Sequence, residues 1–245
     1  MTEGNKGSRN RPLRGWARFS GFAAILAVIA LPVAVSPAAA AATPFQLTYH
    51  VTHSVFGSIG TYVNTVEPAN GGTTVLTSAH FQVKMLGVNL YREDAQRTER
   101  WQGNRLISFH SVTSKDNQST VVNGQARGNN FVITSPLGTI TAPSTVHPAN
   151  PWSPNFLGSS SMMRPDTGKV ERVSVSGGEE AVVIIDGTPV RAQKYEVDGA
   201  TRYTVWLDGQ GVPVMFAVQD SSGTVTFTLA SCISCGLNVA RLGSQ

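Results

Sequence analysis

The sequence predicts an all-β fold: a strongly curved antiparallel meander, a half-barrel or open barrel, with one short helix in a proline-rich excursion. Three observations predict it. Apolar and polar residues alternate with a period of two along most of the chain, the signature of strands buried on one face. Gly103-Asn104, Asp186-Gly187, Asp198-Gly199, Asp208-Gly209 and Ser222-Gly223 punctuate that alternation, as the turns of hairpins do. Only the stretch from Ser153 to Met163 offers a helix, with Ser153 placed to cap it and Pro154 at its first position. One short helix cannot roof a one-sided sheet of about ten strands, so the sheet must wrap around its own apolar face.

Residues 1–42 stand apart. Lys6, Arg9, Arg11, Arg14 and Arg18 precede an apolar run from Phe22 to Val35, and Ala38 to Ala42 close the segment. This is the order of a secretory leader, with cleavage expected between Ala42 and Thr43 and a periplasmic or secreted product. The apolar run is 14 residues long and broken by Pro32, short of the ~18 of a membrane span, so the mature chain is expected to have none. The leader holds five of the 19 Lys+Arg and one of the 15 Asp+Glu. The remainder carries 14 of each sign, a net charge of zero, so nothing in its overall charge would attract nucleic acid. Residues 43–231 are expected as a single all-β domain and 232–245 as a tail containing Cys232-Ile-Ser-Cys235. In an oxidising compartment that pair is expected to form a local disulfide.

Taken in order, Phe45, Leu47, Tyr49 and Val51 alternate with polar residues and predict the first strand. After Gly57-Ser-Ile-Gly60 a second short strand runs to Glu67. The cleanest pattern comes next, Val75, Thr77, Ala79, Phe81, Val83 and Met85 facing one way, and beyond it Gly87 shifts the parity and reads as a β-bulge. Tyr91–Trp101 and Leu106–Ser114 then form a hairpin about Gly103-Asn104. Six of the nine residues from Arg92 to Arg100 are charged. They predict a solvated edge strand that resists edge-to-edge pairing, or alternatively a strand lining a polar mouth. Gln118–Ala126 and Phe131–Thr134 complete this half. Six prolines between Pro136 and Pro165 then rule against regular strands, and Phe156, Leu157, Met162 and Met163 give the short helix an apolar side. The last third reads as hairpins built from Val182–Ile185, Val190–Val197, Tyr203–Leu207, Val212–Val218 and Val225–Leu229.

The positions that carry a family resemblance are Leu90-Tyr91-Arg92, Arg97-Thr98-Glu99, Trp101 and Arg105-Leu106, then Pro148 to Trp152-Ser-Pro154, then Gly187 through Tyr195, Trp206, Asp208, Gly211 and Val214. Together they resemble a family of exported Gram-negative bacterial domains of unknown function. In pattern that family is similar to the curved sheets of lipoprotein-localisation-factor-like proteins, which implies a hollow for acyl chains. The Trp-Asn-Pro order usual in the family is scrambled here to Trp152-Ser-Pro154.

A curved sheet only partly plugged by a short helix leaves an apolar hollow, so a hydrophobic small molecule or lipid is the expected partner; the alternative is a solid core of side chains with no cavity. Tyr49, Phe81, Val83, Met85, Trp152, Phe156 and Met163 are the candidate lining. The second reading is an envelope protein that binds a protein partner through Arg92, Asp94, Arg97, Glu99 and Arg100. Catalysis would have only that strand's carboxylates, and their interleaved arginines suit ion pairing better than general-acid work. His50 and His53, three apart on a strand, point to opposite faces and do not make a metal site. No phosphate loop or dinucleotide fingerprint occurs, and no cofactor is expected.

Overall fold

The computed structural model describes residues 43–69, 71–220 and 222–234. The expected leader and Cys235 lie outside them. Eight strands run consecutively: β1 (Phe45–His53), β2 (Gly57–Ala69), β3 (Gly72–Met85), β4 (Val88–Gln102), β5 (Arg105–Lys115), β6 (Gln118–Arg127), β7 (Asn130–Ser135) and β8 (Gly138–Pro143). After an excursion come β9 (His147–Pro148), a 3-10 turn (Pro154–Gly158), β10 (Ser161–Met163) and β11 (Val170–Arg172). The chain then returns as β12 (Ser174–Ile185), β13 (Thr188–Asp198), β14 (Arg202–Leu207), β15 (Pro213–Asp220) and β16 (Gly223–Ile233).

Thirteen strands form one antiparallel sheet in the order β12-β13-β14-β15-β16-β1-β2-β3-β4-β5-β6-β7-β8. β1 starts in the middle, the first eight strands build outward as hairpins, and β16 returns to pair with β1, placing His53 opposite Val225 and Thr48 opposite Ser231. The free edges are β8 and β12, which do not pair with each other, so the curved sheet is not closed into a barrel. Register shifts at Thr48/Tyr49, Val51/Thr52, Val83/Lys84 and Arg100/Trp101 bend it. Beside one of these lies Gly60, where an added Cβ would stand 1.9 Å from the His80 carbonyl oxygen. Glycine lets the backbones of β2 and β3 approach there.

The excursion covers part of the concave face and carries a three-stranded sheet, β11-β10-β9. Buried side chains form two apolar clusters. One gathers Tyr49, Tyr62, Phe216 and Phe227 with Phe156 of the excursion; the other gathers Trp101, Leu106, Phe109, Phe131 and Ile133 with Val146 and Met163.

Five sequence expectations are corrected. Gly87 is not a bulge: Leu86 and Gly87, at φ 50° and 83°, form the two-residue turn between β3 and β4, and the register shift lies three residues earlier. The charged strand is not an edge strand, because β4 pairs with β3 on one side and β5 on the other. Prolines do not exclude strands from the excursion, since β8 ends at Pro143 on a free edge, where a missing donor costs little. Met162 and Met163 are not on the helix; Ser153 caps a single 3-10 turn, its hydroxyl accepting from the Asn155 N–H at 3.2 Å, and both methionines fall in β10. Finally, β12 begins eight residues before the expected Val182, because Gly177 and Gly178 sit at positive φ in a bulge and do not end the strand.

Candidate functional site

Alternation along β4 divides its charges between the two faces of the sheet. Arg92, Asp94 and Arg100 belong to the outward set. Tyr91, Glu93, Arg97, Glu99 and Trp101 belong to the inward set and are buried or half-buried. Outside, Arg92 Nε donates to Asp94 Oδ2 at 2.8 Å, and His80 Nδ1 lies 2.5 Å from Asp94 Oδ1. These partners hold the Asp94 carboxyl below the usual carboxylate range. Asp94 and Glu99 therefore stand on opposite faces and cannot act as one carboxylate pair.

Inside, Glu99 is fully buried and makes no ion pair among the described residues. Its Oε1 accepts from Asn150 Nδ2 at 2.8 Å, and its Oε2 accepts from Trp101 Nε1 at 2.9 Å and Trp152 Nε1 at 3.1 Å. Burial raises the Glu99 pKa, opposed by these three N–H donors and more weakly by the charge of Arg97. Asn150 Oδ1 in turn accepts from the Tyr62 hydroxyl and from Asn64 Nδ2, both at 2.9 Å, and Thr77 donates to Asn64 Oδ1 at 2.7 Å. β2, β3 and β4 thus grip the excursion through a buried polar clasp. The gap beside it, lined by Trp101, Trp152 and Phe156, holds only about 10 Å³. That gap is too small for a ligand.

The open space lies elsewhere on the concave face. Phe81 and Val83 of β3 face Val218 of β15 and Val225 and Phe227 of β16 across a groove of about 470 Å³. A neighbouring cavity of about 410 Å³ shares Phe81, Glu93, Val218 and Phe227 with it and continues past Arg97, Asp166 and Tyr203. The floor is aromatic: Phe216 and Phe227 stack at 4.2 Å, and the Tyr62 ring meets Phe227 edge-on at 5.3 Å. Polar groups sit at the margins. The Tyr91 hydroxyl donates to Glu93 Oε2, and Lys115 lies 4.9 Å from the Tyr91 ring centre. At the other end Arg97 Nη1 donates to the Tyr62 hydroxyl at 3.4 Å, while its buried Nε has no hydrogen-bond partner. Burial raises the Asp166 pKa, but the two-pronged contact from Arg164 outweighs it and leaves the carboxyl low. A larger cleft of about 750 Å³ runs beside β12 and β13, with Glu180, Arg191, Gln193 and Asp208 in its lining. Its charged lining suits an apolar ligand poorly.

Of the expected lining residues, Phe81 and Val83 reach the groove. Tyr49 is sealed beneath it, edge-on to Phe216 with its hydroxyl donating to the Pro213 carbonyl at 2.9 Å. Met85 is exposed near the β3–β4 turn. Trp152 and Phe156 border the filled gap, and Met163 packs in the second apolar cluster. Among the charged-strand candidates only Arg97 lines a cavity on the concave face. Cys232 is disulfide-bonded, and Cys235 lies outside the described residues. The far wall, Val218, Val225 and Phe227, was not foreseen. Val225–Leu229 is legible as a strand, but its place opposite β3 depends on β16 pairing with β1. Among the described residues no group of His, Cys, Asp and Glu could hold a metal ion, and no helix is long and apolar enough to cross a membrane.

An open, barrel-like antiparallel sheet with a partly filled concave face defines the class of this protein. The chain belongs to the DUF6134 family, a domain of unknown function, which it matches over residues 57–230. Its fold is similar to the crystal structure of a beta-barrel-like protein of the domain of unknown function DUF1849 from Brucella abortus, with a TM-score of 0.59. That match has 14% sequence identity and covers 78% of this chain and 98% of the other. No curated protein matches the sequence.

Proposed function

We propose that this protein is a non-catalytic binding module that shelters the apolar part of a lipid-like molecule in the groove between β3–β4 and β15–β16. The observation that carries the reading is the lining, where Phe81, Val83, Val218, Val225 and Phe227 surround about 470 Å³. Ligand pockets typically hold about 300–1,000 Å³ and are mainly apolar with a few polar groups that fix orientation. Tyr91, Glu93 and Lys115 at one margin and Arg97 at the other fit a ligand with a greasy body and a polar end. The basic, apolar and alanine-rich order of residues 1–42 supports an exported product that works in the periplasm or outside the cell. A protein-partner role for the outward charges of β4 has less support, because Arg92, Asp94 and His80 already satisfy one another.

Native mass spectrometry of protein purified from its own cell envelope, joined to titration with a fluorescent fatty acid, tests this. A co-purified lipid and saturable probe binding are expected. Phe81→Asp and Val218→Asp should each weaken the probe by about tenfold or more while still melting cooperatively. A protein that emerges empty and also ignores the probe overturns the reading.

A further inference from the structure

The β3–β4 hairpin outreaches its neighbours. Pairing of β2 with β3 stops at Gly60 opposite Phe81, and pairing of β5 with β4 stops at Lys115 opposite Glu93. Residues 82–91 therefore form a two-stranded arm without a sheet partner on either side, roughly 15 Å long at about 3.3 Å per residue. Water-facing arms of this kind are ordinarily polar. This one carries exposed Met85, Val88 and Leu90, and Leu86 at its turn is 98% exposed. From Met85 to Tyr91 it has no charged residue. The β1–β2 turn adds exposed Val55 and Phe56, and Phe56 and Leu90 both border the mouth of the groove.

The shape and charge of this feature select its occupant. A protein interface pairs a patch with a complementary surface, whereas Leu86 is a convex tip that makes almost no contact with its own chain. A bilayer accepts a convex apolar tip without a preformed pocket. The base of the arm supplies the matching charge. Lys84 and Arg92 bracket the apolar run, and Lys84 makes no ion pair among the described residues. An ammonium at that level can reach anionic headgroups while its stem lies along the apolar tip. Continuity with the groove gives the contact a use, since a lipid leaving the bilayer between the two turns meets Leu90 and Phe56 first and Phe81 next.

We infer that the β3–β4 and β1–β2 turns dock this protein on an anionic lipid surface, with Leu86 and Val88 inserted and Lys84 at the headgroups. The inference deepens the binding-module reading, and rests on it for what is transferred. Flotation with phosphatidylcholine vesicles, with and without an anionic phospholipid, tests it on the mature chain. Wild-type protein is expected to float with the anionic vesicles, and Leu86→Asp/Val88→Asp to remain behind. Lys84→Gln should lose roughly fivefold in apparent affinity for anionic vesicles and little for neutral ones. Both variants lie on the exposed arm and should bind the soluble fatty-acid probe as wild type does. That separates the two readings, because probe binding lost while flotation survives removes the groove and leaves the docking. Wild-type protein that does not float, or a double variant that floats equally, overturns the docking. So does a non-floating wild type whose self-association the double variant abolishes, which would assign the tips to a second copy.

Discussion

Glu99 and His147 approach Trp101 from different sides, one accepting its indole N–H and the other packing against its ring at 4.8 Å. Burial moves their pKa values in opposite directions. Burial lowers that of His147 to about 4, only partly opposed by a hydrogen bond with the Asn104 backbone. An unfolded histidine takes up its proton near pH 6.5. The stability His147 confers is therefore present above that pH and lost as the pH falls toward 4, a change on the order of 3 kcal/mol. A thermal-melt series over that window should show the loss, and His147→Phe should flatten it. Glu99 has the opposite sign. Its folded pKa is raised, so its contribution is full below the ordinary carboxylate pKa and lost as the pH rises through the folded value. Glu99→Gln should remove that decline. It should also cost about 1–3 kcal/mol, because one amide end must face a donor where an oxygen accepted before; chemical denaturation at fixed pH measures the difference. The sequence disclosed Glu99 as one charge in a mixed run. It did not disclose the burial, because the three N–H donors come from β4 itself and from Asn150 and Trp152, some fifty residues on.

Strands were the most legible elements, since period-two alternation follows from pleating alone and needs no knowledge of neighbours. The charged hairpin about Gly103-Asn104 and the Ser153 cap followed from the same local chemistry. Errors arose where one residue type serves two geometries. Gly87 fits a bulge or a turn equally well by its positive φ, and only the pairing of Met85 with Val88 decides for the turn. Gly177 and Gly178 resemble a break, yet at a free edge they are accommodated as a bulge. Gly60 lets the backbone of β2 pass close to that of β3. Gly60→Ala would press a methyl group into the His80 carbonyl and should cost about 1–3 kcal/mol or more. Because Phe81 adjoins His80, the substitution should also weaken the fatty-acid probe; melting and titration of one preparation read both effects.

At the scale of the molecule, the wrapping of the sheet was legible as a surface problem: too much apolar β-surface for one helical turn to cover. Which residues would face each other across the hollow was not. That depends on the pairing of β1 with β16, nearly the full length of the domain apart, and local pattern carries no information about it. The same pairing makes folding dependent on the C-terminal strand. Without residues 223–234, β1 loses one neighbour and the groove loses Val225 and Phe227. A chain ending at residue 222 is therefore expected to show no cooperative melt by circular dichroism. One that melts as sharply as the full chain would mean the sheet holds together without β16.

In a sealed cylinder, girth is dictated by how many strands there are and how far each is staggered. Here the seam between β8 and β12 stays open, and the thirty residues from Ser144 to Val173 tether its two margins. Girth thus becomes a matter of tether length, adjustable by gaining or losing a few residues without disturbing any rung of the ladder. Relatives with longer or shorter tethers should differ in the span between those two edges.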